Sequence, residues 1–165
     1  MSQINRSKAR GVSVLASSPL CMRKFSGSTI RSSNYDKAVE IKPRWAWAYT
    51  NRGAAWYAKG DLDRALADHS QAIKLDPSLA NAYNNRALAR LDKKDLSGAI
   101  KDAGMAIQIN PRLAPAYATR GFARLLEGKP AEAQRDFARS IELDHNLKPL
   151  IDKRAEELKQ QMIER

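Results

Sequence analysis

The stretches AWAYTNRGAAWYAKGDLDRALADHSQAIKLDPSL (residues 46–79) and ANAYNNRALARLDKKDLSGAIKDAGMAIQINPRL (residues 80–113) align without a gap and agree at 15 of 34 positions. Unrelated sequences of average composition would share roughly two. The block 114–147 continues the series, and nine positions are identical in all three: Ala46/Ala80/Ala114, Ala48/Ala82/Ala116, Tyr49/Tyr83/Tyr117, Arg52/Arg86/Arg120, Ala55/Ala89/Ala123, Ala65/Ala99/Ala133, Asp68/Asp102/Asp136, Ile73/Ile107/Ile141 and Leu79/Leu113/Leu147. A fixed period of this kind means a stack of one supersecondary unit, in which each copy buries its apolar face against the next.

Each unit holds two apolar-periodic runs around a short break, as in Ala46 to Ala58, then Lys59-Gly60-Asp61, then Leu62 to Leu75. This pattern predicts a helical hairpin and an all-α fold. Small residues (Gly53, Ala65, Ala72) recur where two helices would approach, with larger ones (Tyr49, Trp56, His69, Ile73) three or four positions away, so small packs against large. Pro77 and Pro111 end the second helices of their units, because the residue before proline is pushed out of helical geometry. Pro130 instead opens a second helix, where its missing amide hydrogen costs nothing.

Working outward, Ala38, Val39, Ile41 and Pro43 lie 34 positions before Ala72, Ile73, Leu75 and Pro77. They predict a half repeat at 34–45 holding a second helix only, and the halved unit favours a truncation. Its uncovered apolar face is a candidate self-association edge. Residues 1–33 show no apolar period and are expected to be a disordered basic segment. Residues 1–35 hold six basic side chains and no acidic one. That composition leaves open a plain tail with a cytoplasmic chain, a mitochondrial transit peptide, or a poor secretory core over Val12 to Met22. After the third unit, Leu147, Leu150, Ile151, Ala155, Leu158 and Met162 share one helical face, which predicts a capping helix over 148–165.

Tyr49-x-x-Arg52-Gly53-x-x-Trp56, then Ala65-x-x-x-His69-x-x-Ala72 and Pro77, resemble the tetratricopeptide repeat. The resemblance covers residues 46–147 as three repeats, 46–79, 80–113 and 114–147. It implies a right-handed α-solenoid of tandem helix-turn-helix units with a C-terminal capping helix, acting as a non-catalytic scaffold for protein-protein interaction. Arg52, Arg86 and Arg120 replace the family's usual leucine, Arg90 and Arg124 its second aromatic, and His145 its terminal proline.

The resemblance further implies that first helices line a concave groove for an extended or helical peptide. Its positions here are Trp47, Thr50, Ala54, Tyr57 and Ala58, then Asn81, Asn84, Leu88, Leu91 and Asp92, then Ala118, Phe122, Leu125 and Leu126. Asn85 stands beside them, and the asparagine amides suit a peptide backbone, which carries a donor and an acceptor at every residue. Packing between repeats is the alternative role, most of all for Leu91 and Leu125. Co-chaperone members hold a C-terminal carboxylate with lysine, arginine and asparagine. Only Asn85 matches that clamp, and Thr50, Ala54, Pro115 and Thr119 fill its other positions, so chaperone tails are not expected as partners.

Two histidines, one cysteine, no phosphate loop and no paired-histidine metal spacing leave no constellation for catalysis. No enzyme activity, cofactor, metal site or small-molecule substrate is expected. His69 stands where other units carry Ala103 and Phe137 and reads as an interhelix packing residue. The recurring Arg52/Asp68, Arg86/Asp102 and Arg120/Asp136 pairs predict a structural ladder, with ligand binding as the alternative. No stretch is apolar enough to span a bilayer. The net charge of +11 falls to +5 over residues 36–165, which describes a mixed solvated surface. Nucleic-acid binding through Arg86, Arg90, Lys93, Lys94, Arg120 and Arg124 is the second reading, and a regulatory segment of a larger enzyme the third.

Overall fold

The computed structural model describes residues 28–163, with side chains from Tyr35 onward. Most of the 1–33 segment expected to be disordered, and the last two residues of the expected capping helix, lie outside the described residues. In order the helices are α1 (Ser28–Ile41), α2 (Ala46–Ala58), α3 (Leu62–Leu75), α4 (Ala80–Asp92), α5 (Leu96–Ile109), α6 (Ala114–Leu126) and α7 (Pro130–Leu143). A 3-10 turn at His145–Leu147 leads into α8 (Lys148–Ile163). The hairpins α2/α3, α4/α5 and α6/α7 stack in chain order, each second helix also packing on the first helix of the next hairpin. The result is an all-α solenoid. Helix α1 packs on α2 and begins six residues before the expected half unit at 34. Ile30 is the only apolar residue between Ser28 and Asn34, so no periodicity marks that part of the helix.

Local chemistry sets the hairpin turns. The carboxylates of Asp61 and Asp95 accept the backbone N–H groups of Arg64 and Gly98 at 3.0 and 2.9 Å, satisfying a donor that every helix start leaves free. Pro130 opens the third second-helix without needing that partner. The tight turn places Gly60 and Gly128 at φ of 82° and 81°, and Lys94 takes the same left-handed backbone at 67°, where a side chain costs ~1 kcal/mol.

Alanine makes the close approaches: Ala65, Ala72, Ala99 and Ala106 on the second helices are fully buried, which lets backbones come near each other. At one crossing the volumes are shared differently from unit to unit. A Cβ on Gly53 would lie 2.7 Å from the His69 ring, and one on Gly121 would lie 2.5 Å from Phe137. The equivalent positions of the middle unit are Ala87 and Ala103, both fully buried. Glycine faces a ring and alanine faces alanine, so each ring is accommodated by the missing Cβ opposite it.

Charge sets the register. Arg52 donates to both carboxylate oxygens of Asp68 at 2.8 Å, Arg86 to Asp102 at 2.7 and 2.8 Å, and Arg120 to Asp136 at 3.0 and 2.7 Å. Each guanidinium also sits 5.5 to 5.7 Å from the ring of Tyr49, Tyr83 or Tyr117, a cation–π distance. The hydrogen bond to the aspartate raises the pKa of all three arginines, so these guanidinium groups stay charged. Arg90 and Arg124 add a second cation, reaching Asp102 at 3.2 Å and Asp136 at 2.8 Å. Arg52 and Arg86 reach backward as well, to Asp36 and to Ser70, both at 3.2 Å. One arginine thus ties its own hairpin together and ties it to the preceding helix.

Two stability outcomes follow from these contacts. Asp102 is nearly buried, and Asp102→Ala leaves two guanidinium groups without their anion, so unfolding in urea should show a loss of about 3 kcal/mol; a loss under about half a kcal/mol would show the pair to be dispensable. His69 is fully buried, neither ring nitrogen has a hydrogen-bond partner, and burial followed by the nearby Arg86 charge pushes its pKa down to about 3. With the folded pKa below the unfolded value of about 6.5, the stability of the neutral ring is intact above 6.5 and drains away as pH falls toward 3. Between pH 7 and 5 this amounts to about 2 kcal/mol. His69→Phe, which copies the Gly121/Phe137 crossing, should remove that share of the acid sensitivity in melts recorded at both pH values; an unchanged pH slope would contradict it.

Candidate functional site

Because the hairpins stack in register, the first helices α2, α4 and α6 lie side by side. Residues 35 positions apart therefore meet across neighbouring first helices. The hydroxyl of Tyr57 donates to Asp92 at 2.6 Å, and that of Thr119 donates to the Asn84 side-chain oxygen at 3.0 Å. This row of helices forms the face on which the expected groove positions fall.

The side chains on it divide into two groups. Toward the N-terminal end, Trp47 is 52% exposed and Trp45 43%. Their rings stack at 5.4 Å, Tyr35 meets Trp47 edge-on at 6.4 Å, and the Lys42 ammonium stands 5.7 Å from the Trp45 ring. Asn81 is exposed one repeat further on, at the unit position of Trp47. Thr50 is buried, with its hydroxyl bonded to the Ala46 carbonyl at 3.1 Å. Trp45 and Tyr35 were not expected from the sequence. The signal for Trp45 was its spacing of two from Trp47 just ahead of a helix start, whereas Tyr35 lies in a half unit whose groove positions were not mapped.

Further along, the floor is covered. Asn84 is 2% exposed, Leu88 2% and Phe122 0%. Asn85 is buried too, and its side-chain oxygen has no hydrogen-bond partner. Leu126 is half-buried against the same core as Phe122. Tyr57 and Ala58 border a cleft of about 560 Å³, whose opposite wall is Arg154, Leu158 and Gln161 of α8. The expected groove residues are therefore not one open surface. Trp47 and Asn81 lie open, Tyr57 lines the cleft wall, and Thr50, Asn84, Asn85, Leu88 and Phe122 are buried.

The arginines expected to carry a nucleic-acid footprint are engaged elsewhere. Arg86, Arg90, Arg120 and Arg124 are directed at Asp102 and Asp136, and Lys93 pairs with Asp63. Among the described residues no group of three or more His, Cys, Asp or Glu side chains is placed to hold a metal. No described helix is long and apolar enough to cross a membrane.

The sequence matches a family model described as TPR repeat over residues 55–94. Among solved structures the chain is similar to the second TPR of Spaghetti (RPAP3) bound to the HSP90 peptide SRMEEVD, at 31% identity and a TM-score of 0.59, over 66% of this chain and 99% of that one. The second TPR domain of the human RPAP3 protein in complex with the HSP70 peptide SGPTIEEVD is 30% identical with a TM-score of 0.62, over 69% and 94%. The Arabidopsis OM64 TPR domain is 29% identical with a TM-score of 0.63, over 68% and 94%. No curated protein matches the chain.

Proposed function

The chain belongs to the tetratricopeptide repeat family, and on that premise we propose that it is a non-catalytic scaffold that captures a peptide segment of another protein along its first-helix face. The observation that carries this reading is the open aromatic rim. Trp45 and Trp47 are large, exposed and stacked on each other, and tryptophan is over-represented among residues that dominate binding energy. Asn81 continues the line with an amide that can both donate to and accept from a peptide backbone. Such a rim suits a segment with one apolar or aromatic anchor followed by polar main-chain contacts.

The two RPAP3 domains carry chaperone peptides ending in Glu-Glu-Val-Asp, and similarity to them raises that ligand for this chain. The local chemistry argues against it. A terminal carboxylate needs clustered cations or several donors. Here the Thr50 hydroxyl is spent on Ala46, and the Thr119 hydroxyl on Asn84 and Pro115. Nucleic-acid binding loses its carriers for a related reason, since the arginines that would meet phosphates are neutralised by internal aspartates.

Selecting random peptides on the immobilised full chain and measuring the winners by fluorescence anisotropy tests the main reading. Trp47→Ala should weaken them about thirtyfold, the effect of losing a hot-spot tryptophan, with an unchanged melting temperature. Affinities indifferent to both Trp47→Ala and Asn81→Ala would reject the rim. For the chaperone ligand, the peptide SRMEEVD should bind no tighter than its C-terminal amide. Micromolar binding that needs the free carboxylate and disappears with Asn85→Ala would reverse this conclusion.

A further inference from the structure

Helix α8 does more than cap the stack. Leu147, Ile151 and Leu158 do join the core of the last hairpin. The α8 backbone runs nearest α6, and Ile151 and Ala155 pack on the same core as Ala133, Phe137 and Ile141 of α7.

Helix α8 also leans over the first-helix face. Arg154 donates to Asp92 of α4 at 2.8 Å, and its guanidinium lies 5.7 Å from the ring of Phe122 on α6. Ile151, Arg154 and Leu158 are spaced i, i+3 and i+7, so one stripe of α8 presents an aliphatic, a cation and an aliphatic. Asp92 is the matching anion, already accepting from Tyr57 on α2. The fit is incomplete: the Arg154 Nε atom is buried without a hydrogen-bond partner. Past Leu158 the cleft beside Tyr57 and Ala58 opens, and Met162 and Ile163 are 44% and 78% exposed. One ion pair and a short apolar stripe hold this helix on the groove.

We propose that the covered half of the groove is a docking surface for an amphipathic helix with an aliphatic–arginine–aliphatic face, and that α8 occupies it in cis until such a helix displaces it. The proposal rests on the groove reading above and names the class of partner for its second half. A covering helix lowers the apparent affinity of any competitor by the fraction of time the surface is closed. A partner helix that also satisfies every nitrogen of its own arginine gains over α8 at the same site.

The test uses the full chain and a fluorescein-labelled synthetic peptide of residues 148–163 as the probe. Arg154→Ala in the chain removes the anchor from the cis helix but leaves it in the probe. Amide hydrogen exchange across α8 should accelerate, and the probe should bind at least about tenfold tighter than to the wild type. Leu158→Ala should act in the same direction. A probe carrying Arg154→Ala should lose that gain, and Asp92→Ala in the chain should yield none, because cis and trans helices then lose the same partner. Faster exchange in α8 with no probe binding would overturn the helix-docking assignment while leaving the Trp47 rim standing. Exchange in α8 that neither Arg154→Ala nor Leu158→Ala changes would overturn the proposed release.

Discussion

The fork of an arginine on an aspartate sixteen residues later is the contact on which the rest of the molecule depends. Arg52, Arg86 and Arg120 bridge the two helices of their own hairpins, and the first two also reach back to the preceding second helix. Two parallel N–H···O bonds have little tolerance for sliding or rotation, whereas apolar packing between alanines is compatible with several registers. Apolar burial supplies the drive to stack the hairpins, and the ion pairs select one way of stacking them. The same contact accounts for the family's usual leucine being replaced here, since leucine at these positions would take from each buried aspartate its two-bond partner.

A fixed stack then decides what the first-helix face can offer. Tyr57 meets Asp92 and Thr119 meets Asn84 because each pair is one period plus one residue apart. These bonds use up polar groups that a ligand would otherwise contact. The hydroxyls and amides deepest in the groove are structural, whereas Trp45, Trp47 and Asn81 stay exposed at the rim.

Much of the fold was legible in the residues. A 34-residue period repeated three times fixes hairpin form and packing partners at once, and the recurrence of arginine and aspartate at one spacing pointed to their pairing. The site was legible only in part. Period and family likeness place Leu88, Phe122 and Asn84 on the groove face, but they carry no information about what lies over that face. Asn84 is covered by Thr119 of the neighbouring first helix, and over Phe122 lies Arg154 of α8, a helix that follows the last unit and has no repeat mate to compare with. The Arg154–Asp92 contact spans 62 residues, a separation that is no multiple of the period. Tyr35 was missed because it lies in a half unit expected to hold a second helix only, onto which no first-helix groove position maps.

The crossing of the two helices in each hairpin shows how such a chain tolerates change without losing its register. His69 over Gly53 and Phe137 over Gly121 fill one site with a ring and no side chain, while Ala87 and Ala103 divide the same space. Neither solution disturbs the ion pair beside it. The histidine is the less stable of the two ring solutions, because an imidazole without a hydrogen-bond partner gives up water for nothing in return. Its burial also links the first hairpin to acidity: protonation favours the unfolded chain, and the hairpin affected is the one that carries Trp47. The acid sensitivity that His69 adds therefore sits in the hairpin at the open end of the groove, whereas the two-bond contacts of the arginines fix the register of the stack.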